Sequence, residues 1–246
     1  MTGTLPRAIT PELLWTGGCM AASVPGMLAH YSCFLLRGTE GAMLVDTGHP
    51  AHREQVTADV LAFLDGAPLT HIFPTHGELP HAGLLAHWLE LFPQAVAVGD
   101  MRDWQLYLPQ HSARFRQMAD GDAVDLGDRR ITFIAPIWRD LPDTLWAWDD
   151  TSRTLFVSDA CACFHPHAPG QSDRFSSEVA PPDIAIMQDF NDKALHWPRY
   201  TDCRESAAAM DRLLAALDPA FLCGAHGAVV DDWRRMMPYF KAGMGA

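Results

Sequence analysis

The sequence predicts an α/β fold in which two β-sheets pack against each other with helices on the outside. Two observations carry this. Each half of the chain places β-like runs ahead of helical ones, and the second half holds several short strand-like pieces separated by turns, a pattern foreign to one parallel sheet. Composition adds that 48% of the 246 residues are apolar, enough for a sizeable core. Composition does not shift abruptly along the chain, so one domain over residues 1–246 is expected.

The elements follow in order. Tyr31 to Arg37 and Ala42 to Val45 are apolar runs split by Gly38 and Gly41, which predicts a β-hairpin. The second run ends at the turn signal Asp46-Thr47-Gly48. Val56, Val60, Leu61 and Leu64 have helical spacing over Ala51 to Leu64, and Gly66 follows. Leu69 to Phe73 reads as a strand and Leu79 to Phe92 as a helix with Leu84, Leu85, Trp88, Leu89 and Phe92 on one side. Ala95 to Val98 is a further strand, and Asp100 caps a helix predicted over Met101 to Leu108. Four strand-like segments come next: Ala123 to Leu126, Ile131 to Ile134, Leu145 to Trp148 and Thr154 to Val157. Ile184 to Met187 is read as another strand. Arg204 to Leu217 is a strong helix, Phe221 to Cys223 a last strand and Asp231 to Phe240 a last helix.

Formal charge is 18 minus 30, or −12, so nucleic acid and anionic membrane surfaces are not expected partners. No run of about 18 apolar residues is present to span a bilayer. Met1 to Pro11 lacks a basic start followed by an apolar run, so no signal peptide is expected and a cytoplasmic location is. The six cysteines are irregularly spaced, which argues for reduced, mostly buried thiols instead of a disulfide framework. Cys161-Ala162-Cys163 lacks a second cysteine pair and is not read as a zinc site.

Chemistry concentrates after Phe73. Of the twelve histidines, His30, His52, His87, His111 and His196 each sit alone and are read as structural or exposed. Thr75-His76-Gly77-Glu78-Leu79-Pro80-His81 differs: it places two imidazoles and a carboxylate within six residues, between a strand and a helix. Gly77 permits a tight turn, and Pro80 suits the first turn of the helix. Three other polar residues follow apolar strands: Asp46 after Met43-Leu44-Val45, Asp159 after Phe156-Val157-Ser158, and His226 in Cys223-Gly224-Ala225-His226-Gly227. Such residues converge on one sheet edge, and together they point to a metal site.

In that order, Val45-Asp46-Thr47-Gly48, Thr75-His76 to His81, Ser158-Asp159 and Ala225-His226-Gly227 resemble the metallo-β-lactamase superfamily over roughly residues 12 to 240. The resemblance implies an αββα sandwich with a metal site at one edge. Hydrolases of this superfamily carry His-x-His-x-Asp-His and bind zinc. Glu78 at the second position instead resembles His-x-Glu-x-Asp-His, the pattern of the flavodiiron proteins and related di-iron members, as does Phe133-Ile134-Ala135-Pro136 to Leu141-Pro142-Asp143-Thr144. By resemblance, His76, Glu78 and Asp159 bind one metal, and His81, Asp159 and His226 the other, with Asp159 bridging. Asp140 falls where that group has a ligand histidine, and Pro80 where it has a ligand aspartate. The carboxylate total is thereby unchanged: Glu78, Asp140 and Asp159. Asp140 also reads as an ordinary turn residue, and Pro80 as a sign that only one metal binds. Asp46 is expected to orient a ligand histidine. His165 and His167 either line the pocket or belong to a loop. Trp138, Trp146 and Trp148 are expected in the core or pocket wall.

Three carboxylates, three imidazoles and no thiolate suit iron or manganese as well as zinc, and two histidines with one carboxylate suit oxygen chemistry at Fe(II). The resemblance therefore implies two iron ions, with manganese or zinc as alternatives. It further implies an oxidoreductase or oxygenase that binds or activates O2 or NO, in a homodimer. The chain ends soon after Phe240, so a flavodoxin domain is not expected. Electrons would come from a separate redox partner or an organic substrate. A zinc-dependent hydrolase, an O2 sensor without turnover and a binding protein that has lost its centre are the competing readings. Proline cannot help hold a hydrolytic water as an aspartate can, which weakens the first of these.

Overall fold

The strand order explains how distant chemistry meets at one edge. A computed structural model describes residues 5–22, 28–168 and 170–246. The start of the N-terminal stretch considered above lies outside them. One sheet has seven strands in sequential order: β1 (Arg7–Thr10), β2 (Leu13–Ala21), β3 (Leu28–Arg37), β4 (Ala42–Val45), β5 (Leu69–Phe73), β6 (Val96–Gly99) and β7 (Phe115–Gln117). The other contains β8 (Ala123–Asp125), β9 (Arg130–Ile134), β10 (Trp146–Asp149), β11 (Thr154–Ser158) and β12 (Phe221–Gly224), in the order β12-β11-β10-β9-β8. β4 and β5 pair in parallel, and so do β11 and β12.

Three apolar layers hold the sandwich. Between the sheets, Trp15, Phe34, Val45 and Phe73 of the first meet Ile131, Phe133, Phe156 and Cys223 of the second. Outside the first sheet, Leu35, Leu44 and Ile72 meet α1 (Arg53–Leu64), through Val56 and Val60, and Trp88 from the next helical segment. Outside the second sheet, Leu155, Val157 and Leu222 face the C-terminal helices. Alternation along the strands does this sorting: Leu13 and Trp15 point to the central layer and Leu14 to the outer one. The αββα sandwich expected from the sequence is the observed fold.

Three local readings need correction. The helix expected over 79–92 is two: α2 (Leu79–Ala82) and α3 (Leu85–Leu91). The chain breaks at Leu84, whose N–H bonds the Thr47 hydroxyl at 3.0 Å. The helix expected over 101–108 shrinks to α4 (Trp104–Tyr107), because Asp100 folds back on Arg102 and Gln117. Ile184–Met187 is no strand but the first turn of α5 (Ile184–Ala194), capped by Asp183 accepting from the Ala185 and Ile186 N–H groups. β1 and β2, unread in the sequence, extend the first sheet. α6 (Arg204–Leu217) matches its expected bounds, and α7 (Trp233–Gly243) closes the chain. Trp138 and Trp146 are buried in the outer layer of the second sheet, as expected, with Trp148 packed against it.

A buried ion pair ties β10 to the turn before β9. Arg129 Nη1 donates to Asp149 Oδ2 at 3.0 Å, with Arg129 5% and Asp149 0% exposed. Asp149 also accepts from the Thr151 and Ser152 N–H groups. Asp149→Ala strands a guanidinium in the interior and is expected to cost about 3–5 kcal/mol of stability. Denaturant titration checks this; a loss below about 1 kcal/mol would show that water reaches Arg129.

Candidate metal centre

Each of the predicted site residues except Asp140 follows a strand or starts a helix at the same edge. β4 ends at Val45, and Asp46 turns the chain with φ 58°. β5 ends at Phe73, after which Thr75 and His76 enter the edge. Glu78 is the N-cap of α2, Pro80 sits in its first turn as expected, and His81 lies on its inner side. β11 ends at Ser158, φ 54°, which throws Asp159 inward. β12 ends at Gly224, and His226 follows. Both positive-φ residues are held where the chemistry gathers, a common place for backbone strain. Gly77 differs from its expected role: a side chain there would meet Asp143 Oδ2 at 2.9 Å, so close approach and not turn geometry requires glycine.

The six residues named from sequence come together. His76 Nε2 lies 3.3 Å from Asp140 Oδ2 and 4.0 Å from Glu78 Oε2. Asp159 Oδ1 lies 3.1 Å from His81 Nε2 and 3.4 Å from His226 Nε2. Donor atoms of His76, His81 and Asp159 lie within 4.8 Å of one another, as do those of His76, Glu78 and Asp140. Ligands bound at about 2.1 Å to one ion stand about 3–4 Å apart, so these spacings fit. Asp140 is thus part of the cluster and not a remote turn residue.

Each imidazole is oriented through its other nitrogen. His76 Nδ1 lies 2.9 Å from the Ser158 hydroxyl, which lies 2.9 Å from the Thr75 hydroxyl. His81 Nδ1 lies 2.9 Å from Asp46 Oδ2, and Asp46 Oδ1 accepts from the Thr75 N–H at 2.8 Å. His226 Nδ1 lies 2.6 Å from the His30 carbonyl oxygen and donates to it. Carboxylate, hydroxyl and carbonyl partners of this kind fix tautomer and ring angle at metal sites. Asp46 meets a histidine of the cluster, the contact that its expected role requires. Ser158, Thr75 and the His30 carbonyl were not read: the two hydroxyls stood in the motifs, while a carbonyl leaves no signal in sequence.

Four of the inward-facing atoms lack a hydrogen-bond partner. His76 Nε2, His81 Nε2, Asp140 Oδ2 and Asp159 Oδ1 are buried without a hydrogen bond. Buried polar atoms left this way are costly, and these four, spread over two donor groups that share His76, call for cations. The charge pattern agrees. Burial and the neighbouring Asp159 push the Asp140 carboxyl up to about 7. Burial opposes charge on His81, yet Asp46 and Asp159 together hold its pKa well above the usual range. Glu78, half-exposed at the mouth, is held low by His76 beside it. A proton on His81 stands where a metal would neutralise the same carboxylates.

Two openings flank the cluster. A cleft of about 600 Å³, lined by Leu79, Trp104, Tyr107, Pro142 and Asp143, reaches Gly77 beside Glu78. A second cavity of about 320 Å³ reaches His226 between Tyr31 and Phe190, whose rings lie 5.7 and 5.3 Å from the imidazole.

Comparison with known proteins places this geometry. The chain is 26% identical over 195 residues to a nitric oxide reductase of Moorella thermoacetica, covering 75% of the chain and 47% of that protein. Its fold matches the rubredoxin oxygen:oxidoreductase of Desulfovibrio gigas with TM-score 0.78 at 18% identity, over 98% of this chain and 61% of that one. A variant of the flavo di-iron protein of Thermotoga maritima matches with TM-score 0.76 at 16% identity, over 96% and 61%. At such identities the structures establish the fold. The matches span between 23% and 50% of the length of the curated relatives. Residues 28–160, more than half of the chain, match the family described as metallo-beta-lactamase superfamily. The chain belongs to the metallo-β-lactamase superfamily.

Proposed function

We propose that this domain holds a dinuclear iron centre and acts as an oxidoreductase on O2 or NO, with electrons from a separate donor. The observation that carries the reading is the convergence of four unpaired buried atoms, on His76, His81, Asp140 and Asp159. His76, Glu78, Asp140 and Asp159 would hold one ion, and His81, Asp159 and His226 the other. Oxygen and nitrogen donors without a thiolate suit iron or manganese, and two histidines with one carboxylate leave positions open. Bound there, two iron ions would supply one-electron chemistry toward a diatomic substrate. The names of the relatives, a nitric oxide reductase and a rubredoxin oxygen:oxidoreductase, support the same class of substrate.

The protein's own groups serve that chemistry by position. Ser158, Asp46 and the His30 carbonyl keep three Nε2 lone pairs aimed inward. Pro80 offers no donor, so an ion on His81 and His226 would have fewer protein ligands than one on His76, Glu78, Asp140 and Asp159. Tyr31 and Phe190 give that side an apolar wall, and a cavity of about 320 Å³ admits a diatomic molecule. Burial and the charge of Asp159 raise the Tyr31 phenol, so it keeps its proton near neutral pH.

Protein purified without oxygen is expected to contain iron near two equivalents per chain, and its reduced form to change optically when O2 or NO is added. Zinc alone, with no optical response to either gas, would overturn the reading in favour of a hydrolase.

A further inference from the structure

A second cluster lies behind His226, made from residues the sequence scatters. Cys19 and His30 are direct cross-strand partners on β2 and β3, which puts their side chains on one face. The segment after the Cys163–Gly227 bridge brings His165 and His167 back over that pair. His30 Nε2 and His167 Nε2 are 2.6 Å apart, and Cys19 Sγ is 3.9 Å from the latter. The three donor atoms lie within 4.8 Å of one another. His165 stands 5.0 Å from both other imidazoles, centroid to centroid. His30, solitary in the sequence, is the centre of this group.

The hydrogen-bond pattern has the form expected of metal ligands. His167 Nδ1 is 2.8 Å from the Ala168 carbonyl oxygen, so Nδ1 carries the proton and Nε2 presents a lone pair. His30 Nε2 faces that lone pair at 2.6 Å, a distance two bare nitrogens cannot keep. A proton on His30 Nε2 can fill the gap, but then His30 Nδ1 is a bare acceptor, buried and without a partner. A metal ion held by both Nε2 atoms instead moves that proton to Nδ1, beside the Gly227 backbone, and requires the two rings to part from 2.6 Å to the spacing of about 3–4 Å that ligands of one ion keep. His165 is 4% exposed, and neither of its ring nitrogens has an aligned partner, although the Cys163 and Gln171 backbones are close.

We infer that Cys19, His30 and His167 form a further metal site for one thiophilic divalent cation of the zinc class, with His165 beside it as the fourth donor within reach. One thiolate with imidazoles selects zinc or copper, whereas the carboxylate-rich centre next to it suits harder ions. Burial raises the Cys19 thiol to about 11, and a bound ion supplies the charge that makes it a thiolate. The two sites are joined through the His30 carbonyl, 2.6 Å from His226 Nδ1. An ion on His30 therefore braces the strand that orients His226, which gives it a structural role.

Cobalt(II) alone, titrated into metal-free protein, tests this. Wild type is expected to show a thiolate-to-cobalt charge-transfer absorption that is lost in Cys19→Ser and in His167→Ala. Asp159→Ala, which disables the carboxylate-rich centre, should keep it, so the two readings fail separately. The other five cysteines are buried, and none belongs to a donor cluster among the described residues. As a check that needs no variant, zinc-edge X-ray absorption of zinc-loaded wild type should show one sulfur neighbour. No thiolate absorption in wild type, its survival in either Cys19→Ser or His167→Ala, or a zinc shell without sulfur would overturn the proposal.

Discussion

Asp159→Ala is expected to strip iron from both positions of the centre. Its Oδ1 lies within 3.4 Å of His81 and His226, and the same side chain shares a donor cluster with His76. Removing it takes one ligand from each ion and leaves two unshielded imidazoles on one side and two crowded carboxylates, Glu78 and Asp140, on the other. His226→Ala removes a donor from one ion only and should leave about half of the iron. Iron is the quantity to measure, because a zinc-class ion at Cys19 would hide the change in total metal. Asp159→Ala protein with wild-type iron content would refute the bridge. A His226→Ala protein without iron would show that the two ions bind only as a pair. The fold should survive, since Asp159 ends no strand pairing and its backbone neighbours keep their bonds: Ala225 N–H still donates to the Ser158 carbonyl at 2.8 Å.

The clustering of these residues was legible because its parts are local. His76, Glu78 and His81 sit within one strand-to-helix connection, and Asp46, Asp159 and His226 each follow an apolar strand. Strand ends are readable from periodicity, and parallel pairs β4·β5 and β11·β12 carry those ends to one edge. Asp140 needed more: only the resemblance gave it a role, and the structure sets it 3.3 Å from His76. The Cys19–His30–His167 cluster was illegible for the opposite reason. Its members are 137 and 148 residues apart across the contacts that join them, and their meeting depends on register and on the path of a loop. Periodicity reports neither.

The same distinction sorts the fold. Arg204–Leu217 keeps one helical period for its whole length, so its bounds were readable. Ile184-Ala185-Ile186-Met187 is a short β-branched apolar run that suits either state. The carboxylate of Asp183, bonding two free N–H groups, decides for helix. The split of 79–92 was unreadable because tertiary contacts cause it. Thr47 takes the Leu84 N–H, and its carbonyl accepts from Trp88 Nε1 at 2.9 Å. Those bonds tie the helix to the turn after β4, which is also the turn that presents Asp46.

Asp46→Asn should then separate the orientation of a ligand from its presence. In the native protein Asp46 is 1% exposed, with one oxygen on the Thr75 N–H and the other on His81 Nδ1. A carboxylate can only accept, so His81 keeps its proton on Nδ1 and offers Nε2 to the metal. Asparagine has the same shape. Its oxygen can still take the Thr75 N–H, which turns its NH₂ toward His81. The imidazole must then accept at Nδ1 and carry its proton on Nε2, the nitrogen that should bind. The wrong tautomer, with geometry intact, is what makes the equivalent change in a catalytic triad so damaging. At metal sites, loss of such a partner costs about 10–100-fold in affinity, and we expect at least the upper end here for the ion on His81 and His226. Because Ser158, not Asp46, orients His76, affinity for an ion at His76 should change little. Metal titration of Asp46→Asn against Asp46→Ala resolves the point. The alanine variant leaves Nδ1–H without an acceptor but permits the binding tautomer, so it should bind the second ion better than asparagine does. Equal affinities would mean that Asp46 acts through charge alone, and that hydrogen-bond direction at His81 does not set the site.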